Sequence, residues 1–307
     1  MVMGSRTGRV GRGEGEVEGN VPMPARRSVL RGAAAAALGA AGVGSWQSSM
    51  AAVRGDSGLA AALDRAIDGP QRSAANRARD VYRHPKETLL FFGLRSNMSV
   101  IEIAPGAGWF TEILAPVLHD HGRLYAAHYA KDSPDPHERD LRAVFDRKLA
   151  SNPAIYGRVK VGLMPRETGF TDIAPPGGAD MVLTFRNIHN WIEDGHLDDT
   201  LRAFFDVLKP GGVLGVEEHR GAPGMSLSRI IQTGYVPEDF VIDRCRAAGF
   251  KLDGRSEVNA NPRDTKDYEK GVWALPPTFR AGSVERERYV AIGESDRMTL
   301  RFVKPRG

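Results

Sequence analysis

The sequence predicts a doubly wound α/β fold, in which helices cover both faces of a mostly parallel sheet. The first reason is that short β-branched runs alternate with segments of helical periodicity over most of the chain. The second is a glycine turn at residues 105–108, which follows an apolar run at residues 100–103 and precedes a helical pattern. The third is size, because 307 residues with 41% hydrophobic composition bury one substantial core.

The elements are predicted in chain order, beginning with an N-terminal helical extension. Apolar side chains recur at helical spacing over residues 57–84, and Pro85 begins a further helix in which Leu89, Leu90 and Phe92 are predicted to face inward. Residues 82–84 form either an entrance lid or a solvated helix end. Strands are predicted at residues 100–103, 122–130, 159–163, 179–184, 213–217, 250–258 and 298–303. Helices are predicted at residues 109–116, 141–149, 197–208 and 237–248, with a loop at residues 185–195.

Charge and cysteine content exclude several classes of protein. The formal net charge is +4, and most of the basic excess lies before Val53. Since no dense run of lysine and arginine with interleaved aromatic residues follows, no nucleic-acid partner is predicted. The single cysteine, Cys245, excludes an intramolecular disulfide framework and a cysteine-based metal cluster, and no metal site is predicted.

The N-terminal residues resemble an export signal. Residues 1–22 are rich in glycine, arginine and glutamate, and they are predicted to form a disordered tail. In residues 23–52, Arg26 and Arg27 precede a weakly apolar alanine and glycine stretch, which is the order of a bacterial twin-arginine signal. At about a dozen residues this stretch is too short for stable membrane insertion. We therefore expect an exported or periplasmic protein that meets the twin-arginine export machinery during transport. An alanine-rich helix behind a disordered tail is the alternative.

Three stretches of the sequence carry a resemblance to a known family. They are VIEIAPGAG from Val100, ADMVLTFRNIHNW from Ala179 and LKPGGVLGVEE from Leu208. In this order they resemble the class I S-adenosylmethionine-dependent methyltransferases over residues 85–305. The stretches RHPKETLLFFGL, GWFTEILAP and NPRDT further resemble a subgroup of exported, predicted methyltransferases.

This resemblance implies a fold and a cofactor. The fold is a Rossmann-like sheet of seven strands, of which the last is antiparallel. The cofactor is S-adenosylmethionine, bound at the carboxyl ends of the first four strands. The chain then divides into N-terminal helices at residues 53–97 and a methyltransferase-like domain at residues 98–307.

The resemblance assigns cofactor binding to the first strand and its glycine loop. Glu102 matches the family's acidic residue, which meets the cofactor through the loop or a water molecule. Ala104, Gly106 and Gly108 match three small residues, and Ala104 replaces the first glycine of the motif. Glycine lets the backbone pass close to a ligand. Trp109, directly after the loop, either shapes the methionine end of the pocket or caps the core.

The end of the second strand departs from the family pattern. The family has Asp or Glu there to accept hydrogen bonds from the ribose hydroxyls, whereas this chain has His128 in the cofactor-binding position. A neutral imidazole accepts only one such bond and carries no negative charge. Asp132 is a nearby substitute, and Glu167 occupies the loop where the family often places Asp beside the adenine.

The loop after the fourth strand lies over the methyl-transfer centre in this family. Here it supplies Arg186 as a cofactor-binding candidate, and Asn187 and His189 as catalytic candidates. An imidazole suits a general base for an acceptor O–H or N–H, and a hydrogen-bonded loop histidine is the alternative for His189. His219 and Arg220 follow the fifth strand and are candidates for substrate contact.

The predicted function is methyl transfer from S-adenosylmethionine to an unidentified small-molecule acceptor. Direct displacement at a sulfonium needs alignment and a dry pocket rather than a metal or a covalent nucleophile. A nicotinamide oxidoreductase is disfavoured because Thr111 stands where the dinucleotide fingerprint has its third glycine. An exported, non-catalytic binding module on the same scaffold remains open, because His128 replaces the ribose-binding acid. An open cleft favours the enzyme, and a cleft filled by side chains favours the binding module.

Overall fold

The computed structural model of the protein describes residues 58–164, 169–170 and 173–307. The predicted tail at residues 1–22, the predicted signal segment at residues 23–52 and Glu167 lie outside the described residues. Among the helices of the described part, none has the length and apolarity that crossing a membrane requires.

The sheet places its last strand between two others. Along the described chain the strands are β1 (Ser99–Ile103), β2 (Arg123–His128), β3 (Lys160–Leu163), β4 (Ala179–Phe185), β5 (Leu208–Gly221), β6 (Val236–Pro237), β7 (Lys251–Ser256) and β8 (Arg297–Val303). Their order is β3-β2-β1-β4-β5-β8-β7, with the two-residue β6 paired to β5 at the side. Strands β1 to β5 pair in parallel, and β8 runs antiparallel to both β5 and β7. The predicted Rossmann-like fold with an antiparallel last strand is therefore confirmed.

In the described part of the chain, four helices precede the first strand and eight follow it. The N-terminal helices are α1 (Leu59–Ile67), α2 (Ala74–Ala78), α3 (Asp80–Arg83) and α4 (Pro85–Phe92). The helices that follow are α5 (Thr111–Leu118), α6 (Pro136–Ser151), α7 (Pro153–Tyr156), α8 (Ile188–Glu193), α9 (Leu197–Val207), α10 (Leu227–Thr233), α11 (Glu238–Ala247) and α12 (Arg286–Ile292). His84 adopts a left-handed conformation, with φ of 37°, and this separates α3 from α4. The α1 and α4 side chains pack against α5 on one face of the sheet, in a core cluster that includes Leu63, Leu89 and Leu114.

Two local predictions are wrong. Leu89 and Phe92 face the core as predicted, but Leu90 does not: 40% of it is exposed, because α4 turns the other two side chains inward. Residues 185–195 were expected to form a loop, but they contain α8. The carboxylate of Glu218, on β5, accepts hydrogen bonds from the first amides of this helix, at 2.6 Å from Ile188 N and 3.3 Å from His189 N. A tertiary contact therefore decides this local structure.

The segment between β7 and β8 covers one end of the sheet. Residues 257–296, which we call the cover segment, contain a 3-10 helix (Gly271–Ala274) and α12. The segment and the region around α10 build a separate apolar cluster, which includes Tyr235, Tyr268, Leu275 and Tyr289. Asn261 ties its two ends together by donating to the carbonyl oxygens of Ile292 and Glu294, at 3.0 and 2.7 Å. No apolar periodicity in the sequence indicates this arrangement, so it was not predicted.

Candidate active site

A cleft opens at the carboxyl ends of β1, β4 and β5, beneath the cover segment. Its volume is about 650 Å³, within the size range of small-molecule sites. The glycine loop forms one wall, the β4–α8 junction forms another, and the cover segment forms the roof. Ligands of open α/β sheets bind at this edge because crossovers to opposite faces leave a crevice there.

The structure brings most of the predicted site residues together in this cleft. They are Glu102, Ala104, Gly106, Trp109, Arg186, Asn187 and His189. Gly108 and His128 lie beneath the loop rather than on the cleft wall. Asp132 is exposed to solvent outside the cleft.

The glycine loop is built from left-handed residues. Ala104, Gly106 and Gly108 have φ values of 44°, 58° and 84°. A Cβ on Gly106 would meet no atom within 4 Å, so this glycine borders open space. A Cβ on Gly108 would lie 3.1 Å from the Phe145 ring, so this glycine allows close packing instead. Ala104 adopts a conformation that favours glycine, which makes its replacement of the motif's first glycine a source of local strain.

Glu102 presents a carboxyl group at the floor of the cleft. Only 1% of the residue is exposed, and burial raises the pKa of this carboxyl to about 7. The hydroxyl of Thr111, at the start of α5, donates to Glu102 Oε2 at 2.6 Å. The group therefore sits close to half protonation at neutral pH and is held in one orientation.

Trp109 both packs in the core and forms part of the cleft wall. Two guanidinium groups contact its ring, with Arg72 Cζ at 4.8 Å and Arg83 Cζ at 4.7 Å from the ring centroid. The indole Nε1 donates to the carbonyl oxygen of Asn76 at 3.1 Å. The two predicted roles of Trp109 are thus compatible, because one edge contacts the N-terminal helices and another borders the cleft.

His128 supports the glycine loop from below. The backbone N–H of Tyr129 donates to His128 Nδ1 at 2.8 Å, so the proton is on Nε2, which lies 3.0 Å from the carbonyl oxygen of Gly106. Burial lowers the pKa of this imidazole to about 4, which keeps it neutral. Both ring nitrogens are engaged with the backbone, so neither is available to a ribose hydroxyl in this arrangement.

A different carboxylate lies on that side of the cleft. Glu138, in the first turn of α6, is 4% exposed and lines the cleft beside Tyr129 and His137. Its Oε2 accepts a hydrogen bond from Ser133 Oγ at 2.5 Å. Sequence analysis missed Glu138 because it lies ten residues beyond the motif position, within a helix whose start was predicted too late. Asp135 caps the start of α6, and this capping residue was the feature of the sequence that could have located the beginning of the helix.

Arg186 and Asn187 connect β4 to its neighbours. The backbone of Arg186 is left-handed, with φ of 60°, and its N–H donates to the carbonyl oxygen of Glu217 at 2.7 Å. Asn187 Nδ2 donates to the carbonyl oxygen of Ile103 at 3.1 Å and to Thr184 Oγ1 at 3.2 Å. These bonds fix the β4–α8 junction against the end of β1, and they present both side chains to the cleft.

His189 forms a buried dyad with Glu218. Its Nδ1 lies 3.0 Å from Glu218 Oε1. A carboxylate only accepts hydrogen bonds, so the imidazole proton is on Nδ1 and Nε2 becomes the basic nitrogen. The His189 ring is 3% exposed and lines the cleft, with the Trp273 ring centroid 6.0 Å away in the roof. Sequence analysis named His189 and missed Glu218, which lies 29 residues further along the chain.

The two candidates for substrate contact at the end of β5, His219 and Arg220, lie in different surroundings. His219 lines the cleft, with its ring centroid 5.3 Å from that of His189 and its Nδ1 2.5 Å from Ser295 Oγ. Burial, followed by the neighbouring charges of His189 and Arg297, lowers the pKa of His219 well below its usual range. Arg220 points elsewhere and forms an ion pair with Asp296 at 3.0 Å, outside the cleft.

His189, Glu218 and His219 are also a candidate metal-binding set. Within the described residues, one ligand atom from each of the three lies within 4.8 Å of the others. The Glu218 carboxylate already accepts from three backbone amides, including His219 N at 2.8 Å, and from the His189 ring. Guanidinium groups close to His219 also disfavour a cation. The donor set therefore suits proton transfer better than metal coordination, and the prediction of no metal site stays a prediction.

Four buried or half-buried guanidinium groups line the inner wall of the cleft. We call them the arginine cluster: Arg79, Arg83, Arg186 and Arg297. Glu294 bridges three of them, with Arg79 Nε at 2.7 Å, Arg83 Nε at 3.1 Å and Arg297 in close contact. Glu217 bridges Arg186 at 3.3 Å and Arg297 at 3.4 Å. Residues 82–84 were predicted to form either an entrance lid or a solvated helix end. Neither describes Arg83, which is 3% exposed inside the cleft.

The fold is shared with methyltransferases and with a cyclase. The chain is similar to the [4+2]-cyclase SpnF, with a TM-score of 0.50 and 17% identity over 81% of this chain and 93% of that chain. It is similar at a TM-score of 0.50 and 12% identity to a putative sarcosine dimethylglycine methyltransferase from Galdieria sulphuraria, over 78% of this chain and 89% of that chain. A SAM-dependent methyltransferase from Aquifex aeolicus has a TM-score of 0.49 and 14% identity, over 80% of this chain and 98% of that chain. No protein-family model and no curated protein sequence matches the chain. The two likenesses with a TM-score of 0.50 support the fold alone, and the reaction is argued from the site.

Proposed function

We propose that the protein is an S-adenosylmethionine-dependent methyltransferase that acts on a small-molecule acceptor. The observation that carries the proposal is an open cleft with the glycine loop on one wall and the His189–Glu218 dyad on another. A non-catalytic binding module is less well supported, because the cleft is not filled by side chains and contains a group suited to proton transfer.

The residues of the glycine-loop wall fit the cofactor. Gly106 borders open space, so the loop backbone is accessible to a bound molecule. Glu102 and Trp109 stand on either side of that loop as a carboxyl group and an aromatic face. Glu138 supplies a carboxylate on the side where the family binds ribose. His128 would act indirectly, by holding the carbonyl oxygen of Gly106 in place.

The chain's own part in catalysis is orientation and proton transfer. When bound, S-adenosylmethionine supplies an electrophilic methyl group on a sulfonium, and S-adenosylhomocysteine is the product. Glu218 holds the His189 ring with Nε2 as the proton acceptor, and this nitrogen receives the proton of an acceptor O–H or N–H. The cover segment roofs the cleft, and alignment of the reactants there would supply roughly 7–11 kcal/mol in favourable cases.

The proposal includes export. The paired Arg26 and Arg27 before an alanine and glycine stretch support recognition by a twin-arginine export system. Replacing both with lysine in the full chain should abolish the appearance of a shortened form in the periplasm of a bacterial host. Equal amounts of shortened protein with and without the replacement would contradict export by this route.

The cofactor proposal is tested by isothermal titration of the full chain with S-adenosylmethionine and S-adenosylhomocysteine. We expect saturable binding of both, and we expect Gly106→Arg to abolish it because the new side chain enters the cleft. Gly177→Arg is the matched control, since Gly177 also has a positive φ, 66°, and open space around its Cβ, but lies outside the cleft. Folded wild-type protein that gives no heat with either compound would overturn the proposal.

A further inference from the structure

The roof of the cleft presents an aromatic side chain next to the proposed base. Trp273, in the 3-10 helix of the cover segment, is half-buried and lines the cleft, as do the half-buried Pro276 and Ile231. The centroid of the Trp273 ring is 6.0 Å from that of His189, and the two rings are inclined at 69°. An apolar surface therefore borders the position that a methyl acceptor of His189 has to occupy.

The end of α10 holds the Trp273 ring in place. A Cβ on Gly271, which has a φ of 56°, would collide with the carbonyl oxygen of Thr233, so a glycine is required for the 3-10 helix to approach α10 this closely. A Cβ on Gly234, the C-cap of α10, would lie 3.3 Å from Trp273 Cη2 and Cζ2, so the ring edge packs on the backbone there. Arg280 Cζ lies 4.7 Å from the ring centroid. A ring fixed in this way can bind a flat ligand without first becoming ordered.

The charged groups on the inner wall of the cleft pair with one another. Glu294 and Glu217 each contact two or more guanidinium groups of the arginine cluster. An ionic acceptor would have to compete with these largely buried ion pairs, and breaking such a pair is strongly unfavourable. An uncharged acceptor leaves the pairs intact, so the inner wall favours a neutral molecule.

The proposed base favours one class of neutral hydroxyl compound. An unperturbed imidazole has a pKa of about 6.5 and a phenol has a pKa of about 10. An aliphatic hydroxyl is nearly as weak an acid as water, whose pKa is about 16. The proton of a phenol is therefore transferred to an imidazole at a much smaller free-energy cost than that of an aliphatic alcohol. A phenol also has a flat aromatic ring, which suits packing against a tryptophan.

We propose that the methyl acceptor is an uncharged phenol whose ring packs against Trp273 and whose hydroxyl faces His189. This inference rests on the proposed methyltransferase function, and it makes Trp273 the residue that determines acceptor specificity. In the reaction the phenol oxygen forms a bond to the methyl carbon, and the bond from that carbon to sulfur breaks with its electron pair going to sulfur. The hydroxyl proton goes to His189 Nε2 and then to solvent. The products are an aryl methyl ether and S-adenosylhomocysteine.

The test measures binding of 2-naphthol and decahydro-2-naphthol to the full chain saturated with S-adenosylhomocysteine. The two probes share one carbon framework and one hydroxyl group, but only 2-naphthol is flat and aromatic. We expect 2-naphthol to bind about fivefold more tightly, which is the size of effect that an aromatic pair produces. Equal affinities, tighter binding of the saturated alcohol or no saturable binding of 2-naphthol would overturn the inference.

Variants show whether Trp273 is the source of the preference. Trp273→Leu, or Trp273→Met where the leucine variant does not fold, should bind the two probes about equally, whereas Trp273→Phe should keep the preference because a phenyl ring still stacks. Phe91→Leu is the matched control and should also keep it. Phe91 is another half-buried aromatic residue with an arginine Cζ near its ring, at 5.6 Å, but it lies outside the cleft.

S-adenosylhomocysteine affinity reports whether each variant is folded and separates the two proposals. A folded Trp273→Leu or Trp273→Met variant that keeps the wild-type preference would show that the inference is wrong. If wild-type protein binds S-adenosylhomocysteine but no 2-naphthol, the acceptor class is wrong and the methyltransferase proposal stands. If it binds 2-naphthol but no S-adenosylhomocysteine, the methyltransferase proposal fails, and the assignment of a methyl acceptor fails with it.

Discussion

The two walls of the cleft are constructed differently. The glycine-loop wall comes from one continuous stretch, residues 102–110, in which three residues adopt left-handed conformations. The opposite wall contains the histidine dyad and the arginine cluster, and its side chains come from α3 and its N-cap, the β4–α8 junction, α8, β5, the cover segment and β8. The first wall is shaped mainly by the backbone, whereas the second is lined by charged and titratable side chains. The cleft therefore combines a motif from one stretch of sequence with a group of side chains that only the order of the strands brings together.

The largest expected effect on stability comes from removing the carboxylate that bridges the guanidinium groups of the charged wall. Glu294→Gln leaves three guanidinium groups without their shared partner, so we expect the free energy of unfolding to fall by about 3–5 kcal/mol. Glu257→Gln, in an exposed ion pair with Arg220, should cost at most about 1 kcal/mol. Urea denaturation of both variants checks this. Similar small losses would show that the cluster does not depend on its bridging carboxylate.

A smaller, pH-dependent effect on stability is expected from His128, which lies beneath the glycine loop. The folded pKa of His128, about 4, lies below the value of 6.5 for an unperturbed imidazole, so the unfolded chain binds the extra proton between these values. The stability that neutral His128 contributes is present above about pH 6.5, and it falls by about 3 kcal/mol as the pH drops to about 4. His128→Gln should lack this part of the pH dependence in urea denaturation at pH 7 and 4.5. Parallel pH profiles for variant and wild type would contradict the assignment.

The smallest expected effect on stability tests the backbone conformation of the glycine loop. Ala104→Gly removes the strain of an alanine with φ of 44°, so we expect a gain of about 1 kcal/mol in stability. Ala107→Gly, in the same loop but without a positive φ, should instead lose about 0.5–1 kcal/mol because glycine has more freedom when unfolded. Thermal denaturation distinguishes the signs. A loss at both positions would mean that the loop does not require the left-handed conformation at residue 104.

Sequence analysis succeeded where the chemistry lies within a few neighbouring residues. The strand, turn and helix around Glu102–Gly108 could be predicted because apolar periodicity and glycines are local signals. The same holds for His189, which follows a buried strand. The alternation of strands and helices, with the family resemblance, predicted the sheet and its antiparallel last strand.

The sequence could not identify residues whose role depends on a distant partner. Glu218 was overlooked because its function as a cap for α8 and as a partner of His189 arises only when β4 and β5 pair. Arg83 and Glu294 lie 211 residues apart in the chain, and no local pattern links them. His128 occupied the expected position, but its hydrogen bonds turned it toward the backbone.

The sequence by itself determined the α/β class and the glycine loop, because these depend on periodicity and on the backbone freedom of particular residues, and its family resemblance implied the antiparallel last strand. Only the tertiary structure decided the charge of the cleft, the orientation of His189 and the supporting role of His128. Those properties depend on burial and on which groups meet across the sheet, and both are set by packing between segments far apart in the chain.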